Sequence, residues 1–209
     1  MVKKAFGFYR LPMYLMVRPF DGFYAMKYMN QGKMRIAFLN FFLLSASISF
    51  TAQYASLVVN QAHPQSVHSL WDLVTLGFVV VLFCASNWAV TCLTDGEGKF
   101  KEIFMTVCYA MTPMVISMIP AALFSNLLSA EEAAFYTIIQ TVAMAWFVFL
   151  LFIGLVVVHN YTASKAVITI ILTFVSLLVI VFLITLLLTM WQQLAMFIQS
   201  LYIELAFRG

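Results

Sequence analysis

The chain has 209 residues, of which 64% are hydrophobic and 9% charged, with a mean hydropathy of +1.00 and a formal net charge of +3. Soluble domains are roughly half apolar, so this composition excludes an ordinary water-soluble fold. The basic residues cluster before the first apolar run rather than along one face of a fold. This clustering indicates membrane orientation and not a nucleic-acid partner.

The first predicted element is a cytoplasmic interfacial segment over residues 1–35. In its second half, aromatic side chains such as Phe20 and Tyr24 are interleaved with Arg18 and Lys27. Aromatic rings and long cationic side chains both suit the headgroup layer of a membrane. We therefore expect this segment to lie on the inner membrane surface.

Five apolar runs follow, and each reaches the roughly 20 residues that a helix needs to cross a bilayer core of about 30 Å. They predict transmembrane helices over about residues 36–59, 70–93, 103–128, 133–158 and 166–190. Ser69 and Asp72, like Ser129 and Glu132, have the spacing of a capping box at a helix start. Short polar breaks suit reversals between antiparallel neighbours. Residues 36–190 are therefore predicted to form an all-α, five-helix transmembrane domain.

An outer amphipathic helix is predicted over residues 191–209. One helical face carries the apolar residues Leu194, Phe197, Ile198, Leu201 and Leu205. The opposite face carries Glu204 and Arg208, an i,i+4 pair in the favourable order. We expect this helix to lie on the outer membrane face, either separate from the fifth span or continuous with it.

The distribution of Lys and Arg predicts the orientation. Seven of these residues precede the first span, Lys99 and Lys101 lie between the second and third spans, and Lys165 lies between the fourth and fifth. The other side of the membrane would carry only Arg208. Because cytoplasmic loops hold the Lys/Arg excess, the N-terminus is predicted inside and the C-terminus outside.

The sequence TDGEGKFKEIF at residues 94–104 concentrates charge in an otherwise apolar chain. It is not a Walker phosphate loop, because Phe100 follows Lys99 where that motif needs Ser or Thr. It has too few oxygen ligands, with two lysines among them, for a calcium loop. We interpret it as a solvated Asp-Gly reversal that leads into the third span.

No catalytic, cofactor-binding or metal site is predicted. Cys84, Cys92 and Cys108 lie singly inside apolar runs, and His63 and His68 on the outer loop suit solvated or capping roles better than a metal site. No span carries an acidic or basic residue near its centre, which counts against ion coupling.

Polar and small residues within the spans predict helix packing. Asn40 and Ser47 share a face of the first helix, and Gly77 and Asn87 share a face of the second. Pro113 and Pro120, seven residues apart, are expected to kink the third helix, because each proline removes a backbone hydrogen bond. Residues of this kind usually let membrane helices pack, and a pore lining is the alternative interpretation.

Five motifs occur in order: RPFDGFYAMKYMNQGKMRIA at 18–37, NWAVTCLTDGEGKFKEIF at 87–104, YAMTP at 109–113, HNY at 159–161 and FIQSLYIELAFR at 197–208. Their order and their placement relative to the spans resemble the bacterial branch of the Ypt-interacting protein (Yip) family. The resemblance implies a five-span helical membrane protein without a known catalytic activity. Eukaryotic members look like trafficking factors that bind small GTPases of the Rab type, whereas bacterial members similar to this chain often accompany carbohydrate ABC importers.

The residues that match the bacterial pattern are the candidates for partner contact. They are Arg18, Pro19, Phe20, Asp21, Gly22, Asp95, Gly96, Gly98, Phe100, Lys101, Glu102, Glu204 and Arg208. From these observations we expect a non-enzymatic, multi-pass accessory or scaffold protein of the bacterial cytoplasmic membrane. Its expected partners are membrane lipid and the permease of a carbohydrate ABC importer, with a solute-binding protein as a further candidate. Two other functions stay open: a small channel or transporter, and a lipid-handling or membrane-shaping protein.

Overall fold

The computed structural model describes residues 10–56, 58–59 and 68–208, with all their side chains except those of residues 130, 205, 206 and 208. Within these residues the chain forms α-helices, a single 3-10 turn at Ala130–Glu132 and no strand, which confirms the all-α class. The helices are α1 (Arg10–Val17), α2 (Pro19–Tyr28), α3 (Met34–Tyr54), α4 (Ser69–Thr94), α5 (Phe100–Ala110), α6 (Thr112–Ser125), α7 (Ala133–His159) and α8 (Ala163–Arg208).

Five helical stretches in the described part of the chain are long and apolar enough to cross a membrane. They are α3, α4, the pair α5 and α6 taken together, α7, and the first 42 residues of α8. The prediction of five spans is therefore confirmed. The predicted outer break that contains His63 lies outside the described residues.

The third span is interrupted at Pro113, where the sequence predicts a kink. Because proline has no N–H, the Tyr109 carbonyl four residues earlier loses its helical donor. Thr112 Oγ1 donates to that carbonyl instead, at 2.6 Å. Asn40 Nδ2 of α3 donates both to Thr112 Oγ1, at 2.9 Å, and to the Cys108 carbonyl, at 3.1 Å. The break between α5 and α6 is thus held by side-chain hydrogen bonds from within the span and from α3.

The N-terminal helices α1 and α2 pack into the bundle. Leu11, Leu15, Phe23 and Met26 are each at most 2% exposed, and α2 lies along α7 while α1 contacts α5 and α6. Gly22 lets the two short helices approach closely, since a Cβ at this position would lie 2.6 Å from Leu15 Cδ2. One face of this segment therefore belongs to the core, and its placement at the membrane surface stays a prediction.

Of the two capping boxes predicted at helix starts, the structure has one and lacks the other. The Ser129 capping box is confirmed, because its N–H and hydroxyl both donate to Glu132 Oε2 at 3.1 Å. These hydrogen bonds hold the pKa of Glu132 below its usual value. The predicted box at Ser69 is wrong. The N-cap residue of α4 is His68, without a side-chain cap, and Asp72 Oδ2 accepts a hydrogen bond from Ser49 of α3 at 2.9 Å.

The last helix, α8, is a single helix of 46 residues. Its sequence contains neither Pro nor Gly, the residues at which helices usually break or kink. The predicted fifth span and the predicted outer helix are therefore two parts of one helix. Its first half packs on α4, and all its described side chains from 181 to 204 are exposed.

Candidate functional site

Two helices end in the same way at one end of the bundle, which we call the α4–α5 end. Asp95 follows α4 with φ 51°, and Asn160 follows α7 with φ 56°. Asp and Asn tolerate this left-handed conformation better than other residues with a Cβ. The next N–H groups, those of Gly96 and Tyr161, donate to carbonyls of the preceding helices at 3.2 and 3.0 Å. Both helices thus end with the 6→1 hydrogen bond of a Schellman motif, and their turns face each other.

The two turns pack a pair of rings against a pair of glycines. His159 and Tyr161 stack with ring centroids 5.1 Å apart and an interplanar angle of 17°. A Cβ on Gly98 would lie 2.6 Å from His159 Cε1, and one on Gly96 would lie 2.7 Å from His159 Nδ1. Neither glycine has a positive φ, so their role is to permit this close approach. The Tyr161 hydroxyl also pairs with Thr94 Oγ1 at 2.6 Å.

A chain of buried hydrogen bonds continues from His159 into the bundle. His159 Nε2 lies 2.9 Å from Asn87 Oδ1, Asn87 Nδ2 donates to Thr173 Oγ1 at 3.0 Å, and Thr173 Oγ1 donates to the Thr169 carbonyl at 2.7 Å. All four residues are at most 2% exposed. Because the acceptor on Asn87 is its oxygen, the proton of this bond belongs to His159 Nε2. The chain of bonds joins α7, α4 and α8.

Lys27 ties the N-terminal segment to the same place. Its Nζ donates to the Val158 carbonyl at 2.6 Å and lies 3.3 Å from Glu97 Oε2. Asn160 Nδ2 donates to Glu97 Oε1 at 3.3 Å. The hydrogen bond from Asn160, followed by that from Lys27, holds the pKa of Glu97 below its usual value. A cation at the C-terminal end of α7 also complements the helix dipole.

We call these side chains the α4–α5 cluster: Lys27, Asn87, Thr94, Glu97, His159, Asn160, Tyr161 and Thr173. The cluster ties the turn between α4 and α5 to α2 and to the end of α7, and it ties α4 to α8. Its hydrogen bonds connect structural elements to one another. Among the described residues, no group of three or more His, Cys, Asp or Glu is placed to hold a metal ion.

The residues predicted for partner contact differ in exposure. The exposed ones are Arg18, Phe20, Asp21, Asp95, Phe100, Lys101 and Glu204; the half-buried ones are Pro19, Gly96 and Glu102; and the buried ones are Gly22 and Gly98. The side chain of Arg208 lies outside the described set. Gly22 and Gly98 thus serve internal packing, and Glu102 Oε2 accepts a hydrogen bond from the Lys99 N–H at 3.1 Å, which caps α5.

Four of the five residues predicted for helix packing are buried in the bundle, and the fifth, Gly77, faces α3. Asn40 and Asn87 are fully buried and bond across helices, as described above. Ser47 is buried and donates to a carbonyl of its own helix at 2.7 Å. Gly77 faces α3 with ordinary contact distances, and Pro113 is buried at the α5–α6 break.

An apolar cleft lies between α4, α7 and α8, with a cavity volume of about 550 Å³. Every residue that lines it is apolar; Phe83, Leu151, Ile171 and Phe174 are examples. On α8 the lining runs from Val167 to Leu177. That stretch rises about 15 Å, which is half of the roughly 30 Å hydrocarbon thickness of a bilayer. The cleft is therefore about as long as one leaflet is thick.

Lys27, His159, Tyr161 and Thr173 are not among the site residues predicted from the sequence. One sequence signal does point to them, because Asp95 and Asn160 each follow a long apolar helix directly and so mark similar helix ends. The pairing of the two ends, however, depends on how α4 and α7 are arranged in space. Thr173 gives no local signal, since Ser and Thr often bond their own helix.

Comparison with known proteins places these features in a family. A family model described as the Yip1 domain matches residues 13–201, a range that includes α2 to α7 and the whole α4–α5 cluster. No curated protein and no solved structure matches the chain. The match covers most of the sequence, so the resemblance to the Yip family is confirmed at the level of the family. The chain belongs to the Yip1 domain family of membrane proteins, and its five apolar helices make it a multi-pass member.

Proposed function

We propose that this protein is a non-enzymatic accessory subunit that docks onto another membrane protein through its α4–α5 end. The observation that carries the proposal is the turn between α4 and α5. Lys27 of α2 and Asn160 at the end of α7 both bond Glu97 of this turn, while Asp95, Phe100 and Lys101 remain exposed at it. A surface that is already ordered loses little conformational entropy on binding, which favours its use as a docking site.

The partner we propose is the permease of a carbohydrate ABC importer in a bacterial cytoplasmic membrane, with a solute-binding protein as a second partner on the outer side. The resemblance of the five sequence motifs to bacterial members that accompany such importers supports this choice. Lys99, Lys101 and Lys165 all lie at the α4–α5 end, and the Lys/Arg excess supports a cytoplasmic position for it. The N-terminus would then be inside and the C-terminus outside.

A pull-down in mild detergent, followed by mass spectrometry, tests the proposal. The wild type is expected to recover transporter subunits, and Lys101→Glu combined with Phe100→Ala is expected to lower their yield at least about tenfold, since buried aromatic and charged anchors dominate interfaces. Lys33→Glu is the matched control, because Lys33 is exposed like Lys101 but lies outside the proposed docking surface, and it makes its hydrogen bonds to Tyr109 through its backbone. Recovery of the wild type without any transporter subunit would contradict the proposal.

The apolar cleft favours lipid handling as a second candidate function. Its length, about the thickness of one leaflet, and its wholly apolar lining suit a single acyl chain. Ile171→Trp should fill the cleft and reduce the lipid that co-purifies with the protein. Val179→Trp is the control, since Val179 is exposed on α8 but does not line the cleft. Equal lipid retention by wild type and both variants would contradict a lipid site there.

The channel alternative gains no support from the polar residues within the spans. Asn40 and Asn87 are 0% exposed and are engaged in hydrogen bonds between helices. These bonds explain their presence in an apolar environment as helix packing.

A further inference from the structure

The helix α8 is longer than a membrane is thick. At 1.5 Å per residue, a helix of 46 residues is about 69 Å long, whereas a bilayer with its headgroups is about 40–45 Å thick. Counted from Ala163, the helix crosses that thickness by about Trp191, roughly 42 Å along its axis. Residues 192–208 then project roughly 25 Å into water. The interfacial preference of tryptophan agrees with a boundary at Trp191.

The exposed part of α8 carries a coiled-coil repeat. Apolar residues alternate at spacings of three and four over three heptads: Ile184, Leu187, Trp191, Leu194, Ile198, Leu201 and, in the sequence, Leu205. We call these residues the α8 seam. Those with described side chains are between 37% and 69% exposed. Beyond Trp191, the polar residues lie outside the seam, and so do several exposed apolar residues. The polar residues are Gln192, Gln193, Gln199, Ser200 and Glu204, and the apolar ones are Met196, Phe197, Tyr202, Ile203 and Phe207. The alternating spacing of three and four is that of the apolar a/d seam of a two-stranded coiled coil.

A surface groove on α8 has the residue spacing of a coiled-coil hole. Its lining includes Trp191, Leu194, Ala195 and Ile198, which are positions i, i+3, i+4 and i+7 of the helix. In a coiled coil, each knob side chain inserts into a hole formed by four residues of the facing helix. The small side chain of Ala195 leaves room for such a knob. The groove therefore fits a leucine from a parallel helix at the same height.

We propose that the α8 seam pairs with the α8 seam of a second copy of this chain in a parallel coiled coil. Two copies in one membrane have the same orientation, so their α8 helices run parallel and equivalent residues lie at the same height. The α8 seam of one copy then meets the same residues of the α8 seam of the other copy. Leu194 of one copy faces the hole at Trp191, Leu194, Ala195 and Ile198 of the other.

The continuity of α8 argues against a tail that folds onto the membrane surface. Lying on the surface would require a sharp bend near Trp191, and sharp bends in helices occur at proline, at glycine or at bulges. The helix has neither proline nor glycine and is unbroken from Ala163 to Arg208. In the bilayer, burial of apolar surface does not drive helices together, so the part in water supplies the driving force.

Cysteine cross-linking in vesicles tests the pairing. In a Cys92→Ala background, which removes the exposed native cysteine and keeps the two buried ones, Leu194→Cys and Ile198→Cys are expected to form disulfide-linked dimers on mild oxidation. Gln193→Cys and Ser200→Cys, on the opposite helix face, are the matched controls and should stay monomeric. Equal cross-linking at all four positions, or none at the seam, would overturn the proposal. Absence at the seam together with protection of position 198 by lipid would indicate a surface-bound tail instead.

Oligomeric state gives a second measurement that does not depend on cysteines. Counting copies per particle in vesicles should give two for the wild type and for Ser200→Glu. Ile198→Glu places a charge in the seam of both copies and should weaken the dimer at least about tenfold, since polar groups at a positions cost stability. A wild type that is monomeric in vesicles at the same density would refute the pairing. The α8 seam lies at the end of the bundle opposite the α4–α5 end. The outcomes of these two experiments therefore do not depend on the docking proposed at the α4–α5 end.

Discussion

Individual glycines control how closely the two turns of the α4–α5 end approach. Gly98 faces the imidazole of His159, and its own φ is not positive. Its missing side chain is therefore needed for space and not for conformational freedom. Because His159 also starts the buried chain to Asn87 and Thr173, a disturbance at Gly98 reaches three helices through one ring.

The first prediction concerns Gly98→Ala. The added methyl group would overlap His159, so we expect the free energy of unfolding to fall by about 1–3 kcal/mol, as for other overpacked sites. Thermal or denaturant unfolding of the protein in detergent micelles measures it. Gly77→Ala is the control, because a Cβ there would meet only Phe41 Cζ at an ordinary 3.5 Å. If both variants are as stable as the wild type, His159 is not confined as described.

At the scale of elements, the third span shows how a membrane helix tolerates proline. Pro113 leaves the Tyr109 carbonyl without its usual donor, in surroundings where water cannot replace it. The Thr112 hydroxyl fills that role and simultaneously accepts from Asn40 of α3. The break is therefore a point of attachment between two spans as well as an interruption of one.

The second prediction follows from this exchange of donors. Thr112→Val should lower the free energy of unfolding by roughly 0.6–1.7 kcal/mol, which are the average and the maximum measured for hydrogen bonds between membrane helices. In a Pro113→Ala background the same substitution should cost less, because the backbone N–H restored at position 113 can donate to the Tyr109 carbonyl. A double-mutant cycle in micelles measures the difference. Equal costs in both backgrounds would show that Thr112 does not replace the missing donor.

The sequence predicted some elements well and others poorly, for physical reasons. Long apolar runs indicated all five spans. Pro113 and Pro120 both indicated a break in the third span, but only Pro113 lies at one, and Pro120 lies inside α6. The burial of Leu11, Leu15, Phe23 and Met26 was missed, because apolar pairs among charges suit a membrane surface as well as a protein core. Residue patterns likewise allowed a break near Trp191. Only the structure shows that α8 continues through it.

The α4–α5 cluster was less predictable than the elements that form it. The charged turn after α4 was recognised from its sequence, because charge is rare in this chain. Its partners Lys27 and His159 are separated from Glu97 by 70 and 62 residues. Their meeting depends on which spans are neighbours, and the lengths and compositions of apolar runs do not specify that.

At the scale of the whole molecule, charge divides the bundle into two unequal ends. Lys27, Lys99, Lys101 and Lys165 are all near the α4–α5 end, where the HNY turn also lies. The opposite end carries the α6–α7 turn with Glu131 and Glu132. This asymmetry underlies the proposed orientation, and with it the side of the membrane on which each surface would meet a partner.

The third prediction tests this orientation. In a Cys92→Ala background, Lys99→Cys and Glu204→Cys should react with a membrane-impermeant maleimide from opposite sides of the membrane, Lys99→Cys only after the cells are opened. Lys101→Cys should behave like Lys99→Cys, since both positions are exposed at the end proposed to be cytoplasmic. Labelling of positions 99 and 204 from the same side would contradict the threading.

The hydrogen bond from Lys27 to the Val158 carbonyl can form only late in the synthesis of the protein. The two residues are 131 positions apart in the chain. Ribosomes add about 5–20 residues per second, so α2 emerges roughly 7–26 s before the end of α7 that it caps. During that interval its apolar face has no finished partner and depends on lipid or an insertion factor for cover. The N-terminal helices are therefore among the first parts synthesised and among the last to reach their final position.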